Sequence, residues 1–586
     1  MVRATMVLSP RAGFASLAVL VPVALGACQG GPAEDAASTA SAATPAGAWP
    51  VWGGDLHNTH FAASETSLSP ANVAGLTPRW HASNVGNVSA IPTVADGVAY
   101  VVDWGLPLVE GGSLRALDVA TGRQLWSHAI VEYSGNLLNP TVRASPAVAG
   151  DLLVFGDVRS EVTSVLDIPG AQGATLYAVA RSDGHLVWKT RLDANPLAVA
   201  TQSPVVYGGK VFVGVSSYEE FAARLAYPCC GFHGSMNAVD LATGRLLWRT
   251  QTTPDGFPGG SVWGSSPSID VARNAVYVGT GNNYDFPSVL ERCLEHHRGD
   301  PAAQQTACFD ALDPKDNFAD SILALDLDTG APRWSRKLRN WGSWTLACDG
   351  RLIPFLPRNP LNCRDLDSLD FDFGQAPMLA RVTVNGAPRD LLLVGQKSGT
   401  AWAFDPDAAG ATVWSTQVGP GGVLGGMEFG AATDGQRLYV QLTNFDHTPF
   451  TIAAGAHAGE VVDGGAWSAL DAATGAILWQ TPDPASALPK FGPLVSPAWG
   501  ALLGDGFFGT AMGPLTVANG VVFAGSMDRA GHMYAFDAAT GDILWSFASG
   551  GSVMSAPTIV DGVVLWGSGY KTGFDGQGFW AFALAH

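Results

Sequence analysis

This 586-residue chain is short of positive charge: 32 Lys and Arg against 51 Asp and Glu leave a formal net charge of −19, and seven residues are Lys. Nothing here could neutralise phosphates in quantity, which excludes nucleic-acid binding as a function class. An acidic surface suits a basic protein partner, or simply solubility. Charged residues of both signs make up 14% of the chain, while Gly reaches 71 and Trp 19. That balance fits many short strands joined by tight turns and disfavours helices or disorder. No Cys-x-x-Cys-His occurs, so the chain carries no covalent c-type haem.

Seven cysteines are present. The first closes a stretch in which Arg3 and Arg11 precede an apolar run from Phe14 to Leu25 and then Leu25-Gly26-Ala27-Cys28. The run is too short for a comfortable membrane span and ends in small residues, so residues 1–27 are expected to be a signal peptide. The Leu-Gly-Ala-Cys ending resembles the bacterial lipobox, which implies lipid on Cys28, a periplasmic location and, with Gln29 following, the outer membrane. Residues 28–48 are rich in Ala, Ser, Thr, Gly and Pro and read as a flexible tether. Export places the rest in an oxidising compartment. The remaining six cysteines divide naturally into Cys229–Cys230, Cys293–Cys308 and Cys348–Cys363, although spacing alone admits other connectivities.

One phrase recurs, Ala-x-Asp-x-x-Thr-Gly-x-x-x-Trp. It runs cleanly from Ala116 to Trp126, Ala238 to Trp248, Ala324 to Trp334, Ala469 to Trp479 and Ala535 to Trp545, and in degenerate form from Ala178 to Trp188 and Ala403 to Trp414. Each copy reads as a hairpin: a strand ending at Asp, a Thr-Gly reversal, and a second strand whose Trp packs on the neighbouring unit. A partner hairpin precedes each copy, as from Ser145-Pro146 to Gly156 or Ser266-Pro267 to Gly279. Two hairpins make a four-stranded blade. Near the C-terminus, Trp580 to His586 supplies the first strand of an eighth repeat hairpin, and Leu76-Thr-Pro-Arg-Trp80 supplies its second. The expected fold is therefore all-β: an eight-bladed β-propeller over residues 49–586, closed by its N- and C-terminal strands so that no sheet edge stays open.

These Trp-bearing repeats resemble the propeller of the quinoprotein alcohol dehydrogenases, over nearly the whole mature chain. Tyr227-Pro-Cys-Cys-Gly-Phe232, Asp372-Phe-Gly374 and the Gly-rich run from Gly419 to Gly426 look most like the polyvinyl-alcohol dehydrogenase branch. The resemblance implies pyrroloquinoline quinone and a metal ion on the central axis. It implies that Glu219, Asn282 and Asp370 bind the ion, with Asp370 also the general base. All three are hard oxygen donors, as Ca²⁺ requires. Asp372 shares a strand face with Asp370 and could reach the same ion, a pattern resembling the lanthanide-dependent type. For the quinone, Trp263 matches the aromatic floor, and Arg143, Thr201 and Ser216 match positions that bind its carboxylates and carbonyls. Lys397 matches the basic residue at the reactive oxygens, where a cation stabilises developing negative charge. Cys229–Cys230 resembles the vicinal bridge that covers the cofactor face.

Two departures from methanol dehydrogenases stand out: Ser89 replaces a cofactor-contacting Glu, and Glu428 replaces an Asn near the quinone. The activity implied is oxidation of secondary, possibly polymeric, alcohols, with electrons leaving to a separate cytochrome c. The same repeat also occurs in envelope scaffold and assembly lipoproteins that do no catalysis, so the polar residues between the repeats decide between the two.

Overall fold

The computed structural model describes residues 46–585 except 105–110, 137–140, 159–172, 226–228, 298–301, 339–342, 350–357, 364–368, 488–509 and 571–577. The signal segment, Cys28 and most of the tether therefore lie outside the described residues. No described helix is long and apolar enough to cross a membrane.

Among the described residues, eight antiparallel blade sheets follow one another along the chain, seven of four strands and the third with a fifth short strand, Ala198–Val199. The first comprises Thr93–Ala95, Val98–Val102, Ser113–Asp118 and Gln124–Ala129, and each later blade repeats this in-to-out order. The inner strands are buried along their length, as in Val521–Gly525, while the outermost are half exposed, as in Leu186–Arg191. That gradient is what an apolar Val- and Ala-rich strand followed by a strand with alternating polar residues dictates. The eighth blade is built as expected from both ends of the fold. Thr558–Val560, Val563–Ser568 and Gly578–Leu584 precede Leu76–Ala82, with Leu76 opposite Leu584 and Ala82 opposite Phe579. Disulfides join Cys229 to Cys230, Cys293 to Cys308 and Cys348 to Cys363.

The recurring Trp locks blade to blade. The indole Nε1 of Trp80, Trp126, Trp188, Trp248, Trp414, Trp479 and Trp545 donates to a backbone carbonyl of the next blade at 2.9–3.4 Å. The ring face lies against the Gly of the next Thr-Gly turn. At Gly330, φ is +72° and an added Cβ would stand 2.5 Å from the Trp248 ring. A side chain there meets both a left-handed backbone and a filled space. Gly330→Ala should cost about 1–3 kcal/mol, which lowers the melting temperature of a fold this large by about 1–3 °C. An unchanged calorimetric midpoint would show that the indole–glycine seat does not hold neighbouring blades together.

Candidate functional site

Each blade begins with a short loop that descends into its innermost strand. Side chains in these loops project toward the axis, so the fold gathers residues that are far apart in sequence. Ser89, Arg143, Thr201 and Trp263 lie three or four positions before Pro92, Pro146, Pro204 and Pro267, where their inner strands begin. All four line one cavity of about 540 Å³ including its mouth, together with Trp52, Phe429 and Met554. Arg143 sits among Trp104, Phe429 and Tyr570, 5.5–6.0 Å from their ring centres. It donates to the Tyr570 hydroxyl at 3.2 Å. Thr201 Oγ1 is buried with no hydrogen-bond partner. Ser89 accepts a 2.7 Å bond from Trp104 Nε1.

Trp263 joins this cavity to a charged cluster. Its Nε1 donates to Asp372 Oδ2 at 2.7 Å, and Lys397 Nζ stands 5.0 Å from its ring centre. Gly374 permits this placement, since a Cβ there would fall 2.5 Å from the indole. Lys397 Nζ lies 2.9 Å from Asp370 Oδ2 and 3.6 Å from Glu428 Oε1, and all three residues are buried. Burial opposes the Lys397 charge, but Asp370, Asp372, Glu428 and Glu220 outweigh it and hold the ammonium above its ordinary value. Burial pushes Asp370 well up, opposed by Lys397 and reinforced by Asp372 and Glu220. It pushes Glu428 up to about 7, again against Lys397. Glu220 is pushed up to about 8 by burial and Asp372.

Four carboxyl groups thus face one ammonium, and several of their oxygens have no donor. Asn282 Oδ1, Asp370 Oδ1 and both oxygens of Glu428 are buried without a hydrogen-bond partner. Buried acceptors in this state are costly unless something satisfies them. A hard cation does so, which is the sense in which these residues fit an ion. The Asn282 side-chain nitrogen is already engaged, donating to the Asn283 and Trp344 carbonyls at 2.6 Å each, so its oxygen is turned the other way. The metal-like trio Cys293, His297 and Cys308 is not comparable, because its two thiols are joined in a disulfide.

The structure departs from the sequence reading at four places. Glu219 is not directed to the cluster. Its carboxylate accepts from Asn195 Nδ2 at 2.8 Å and from the Gly231 and Phe232 amides at 2.9 and 2.8 Å. Its neighbour Glu220 is the residue whose carboxyl feels the charges of Asp372, Lys397 and Glu428. Asp372 accepts from Trp263 Nε1 on one oxygen at 2.7 Å and from the Asn282 amide on the other at 2.8 Å, so each of its oxygens is already half engaged. Ser216 is buried in the strand Lys210–Ser217, paired with Val199, and does not line the cavity. Cys229 and Cys230 do not line it either. Their loop is held by Glu219 and by Asn362, whose Oδ1 accepts from the Cys229 amide at 3.4 Å.

The raised carboxyls have a measurable consequence. In an unfolded chain these groups ionise near 4. Between there and about 8 the folded, ion-free protein keeps protons that the unfolded chain has lost. Stability from this cluster is therefore full at low pH and is lost as pH rises through the folded values. The melting temperature without an added cation should fall relative to that with one between about pH 5.5 and 8, and a hard cation bound by these oxygens should bind more tightly over the same range. Parallel melting curves with and without Ca²⁺ would contradict this.

A family model described as "Outer membrane protein assembly factor BamB" matches residues 68–223, 168–284, 318–506 and 462–584. The polyvinylalcohol dehydrogenase of Sphingopyxis sp. (strain 113P3) is 29% identical over 574 residues, covering 92% of this chain and 75% of that one. A Pseudomonas sp. protein, lupanine 17-hydroxylase [cytochrome c], is 27% identical over 95% of this chain and 77% of its own length. Among solved structures, the quinohemoprotein alcohol dehydrogenase of Comamonas testosteroni superposes with a TM-score of 0.61 at 20% identity, over 93% of this chain and 81% of that one.

Proposed function

The chain belongs to this propeller family and, within it, to the quinoprotein alcohol dehydrogenases; from that premise we propose that it oxidises secondary alcohols, polymeric ones included, and passes the electrons to a separate cytochrome c. The substrate class follows the name of the Sphingopyxis relative, and the acceptor follows that of the lupanine enzyme. It also follows from the absence of any haem-attachment motif here. The single observation that carries the reading is the set of buried oxygens without a hydrogen bond on Asp370 and Glu428, both paired with Lys397 beside the Trp263 ring, and on Asn282, whose backbone amide is bonded to Asp372. A scaffold has no use for such groups, which destabilise it.

Asn282 and Asp370, joined by Glu220 and Glu428, would hold Ca²⁺ or, given the number of carboxyls, a lanthanide. Trp263, Arg143 and Thr201 would hold the quinone. When bound, the quinone supplies a two-electron acceptor and the ion a Lewis acid beside it. Asp370 takes the alcohol proton on Oδ1: Lys397 occupies Oδ2, and Oδ1 has a second lone pair beside the one an ion would use. Lys397, held charged by its neighbours, stabilises negative charge that develops within its reach. Asp372 fixes the indole and the Asn282 backbone and so keeps floor and ion site in register. The Leu25–Cys28 sequence supports a lipid-anchored, periplasmic enzyme, with the anchor on Cys28.

The test is reconstitution. Purified protein is mixed with pyrroloquinoline quinone, either Ca²⁺ or La³⁺, a secondary alcohol and an artificial one-electron acceptor. Turnover that requires both quinone and ion is expected. Turnover without added quinone in protein free of it, or none with any alcohol, would refute the reading.

A further inference from the structure

Residues 49–62 belong to no blade, yet they bond to most of the ring. Trp49 exchanges two 2.8 Å backbone bonds with Val94 of the first blade. The Pro50 carbonyl accepts from the Val148 amide of the second blade at 2.8 Å. Val51 is buried in one apolar cluster with Val205 of the third. The carbonyls of Leu56, His57, Thr59 and His60 then accept from Ile269, Leu379, Thr433 and Val517, on the inner strands of blades four to seven, at 2.7–3.1 Å. The Ala62 amide returns a 2.9 Å bond to Val517. The segment thus winds once around the axis, taking the blades in chain order and binding the innermost strand of six of them.

Its level on the axis is set by the same repeat that places the site. Ser89, Arg143, Thr201 and Trp263 precede the strand-entry prolines, whereas Val94, Val148, Ile269 and Leu379 each lie two residues after one. Site, cavity and winding segment are therefore stacked in that order. One side chain of the segment, Trp52, reaches back into the cavity lining, 5% exposed. It packs on Ile91, Ala376 and Ala556 and against the Gly430 backbone, where a Cβ would lie 2.7 Å from its ring. Behind it, His60 is buried, with ring centres 4.1 Å from Trp52 and 6.1 Å from Trp49. Burial lowers that imidazole to about 3, with the Leu515 backbone opposing, so the packing stays neutral and does not loosen at mild pH.

We propose that residues 49–62 are an axial stopper that seals the far end of the cofactor cavity, and that Trp52 is a positioning residue through which docking of the stopper and binding of the quinone favour each other. The inference rests on reading the Trp263 cavity as the quinone site. A wall that is packed in place before the ligand arrives lowers the ordering cost of binding. By reciprocity, the ligand then tightens the wall.

Calorimetric titration with pyrroloquinoline quinone and Ca²⁺, paired with hydrogen exchange, tests both parts on the whole protein. Trp52→Ala should weaken quinone binding by about tenfold or more, while Trp52→Phe should stay within about threefold of wild type. Before any quinone is added, the amides of Val148, Ile269, Leu379, Thr433 and Val517 should be protected in the wild type. They should exchange at least about tenfold faster in Trp52→Ala. Adding quinone should slow the Ala62 amide of the wild type. Rapid exchange of the five amides in the wild type would overturn the stopper. Wild-type binding with unaltered affinity in Trp52→Ala would overturn the coupling alone. A wild-type protein that binds no quinone would overturn the cofactor reading and the coupling together, leaving the exchange result to decide the stopper.

Discussion

Asp370→Asn is expected to cut turnover about a thousandfold at saturating quinone and ion, while the melting temperature of the ion-free protein stays within a few degrees of wild type. The side chain is the same size and can still accept from Lys397 Nζ through one atom, so the buried pair is altered rather than emptied. What disappears is a group able to take a proton on Oδ1, an effect worth about 10²–10⁴ in rate for a general base. Fold stability is spared because the amide keeps the shape and one acceptor for Lys397 Nζ, and Asp372, Glu428 and Glu220 still favour its charge. The measurement is kcat with a dye acceptor, alongside quinone and Ca²⁺ affinities, to separate lost chemistry from lost binding. A variant that retains a tenth of wild-type kcat would remove Asp370 from the role of base.

The second large effect separates two adjacent glutamates. Glu220→Gln should weaken ion binding by about a hundredfold or more, since it deletes one of the carboxyls that face Lys397 and Asp372. Its melting temperature without ion should hold or rise, because the lost group is one that burial disfavours as an anion. Glu219→Gln should do the reverse. One Glu219 oxygen takes two backbone amides and the other an Asn195 amide, so a Gln must set its own NH₂ against a donor. That leaves buried donors unpaired, at about 1–3 kcal/mol, and frees the loop that carries Cys229–Cys230. Ion titrations and melting curves of both variants give opposite patterns in this account. If the ion affinity of Glu219→Gln fell while Glu220→Gln remained normal, the assignment of the two residues would have to be exchanged.

The repeat made most of the architecture legible, because five copies carry the Thr-Gly turn, two more keep its Gly and Trp, and the eighth copy is visibly divided between the ends of the fold. Arg143, Thr201 and Trp263 were singled out by the resemblance alone; their equivalent offsets from strand-entry prolines are why they line one cavity. Asn282, Asp370 and Lys397 are polar residues beside otherwise apolar strands. The misplacement at Glu219 has a definite physical origin. Consecutive residues on the short helix Glu219–Ala222 point about 100° apart, and which of them meets the axis depends on a helical phase that neither residue type records. Asp372 was read as a ligand because i and i+2 share a strand face, but it lies outside any regular strand and is taken up by an indole and an amide. Residues 49–62 went unread because they carry neither the repeat nor an alternating pattern. Their bonds are made by backbone atoms, to which side-chain identity gives little access.

The partnership of Gly578–Leu584 with Leu76–Ala82 also fixes an order of events in biogenesis. The early strand leaves the ribosome some five hundred residues before its mate, and until then one flank of the first-made blade has no neighbour. Closure across so long a loop is slow and exposes apolar surface meanwhile. The hub that the blades surround is therefore complete only when the last strand has been made and has met the first.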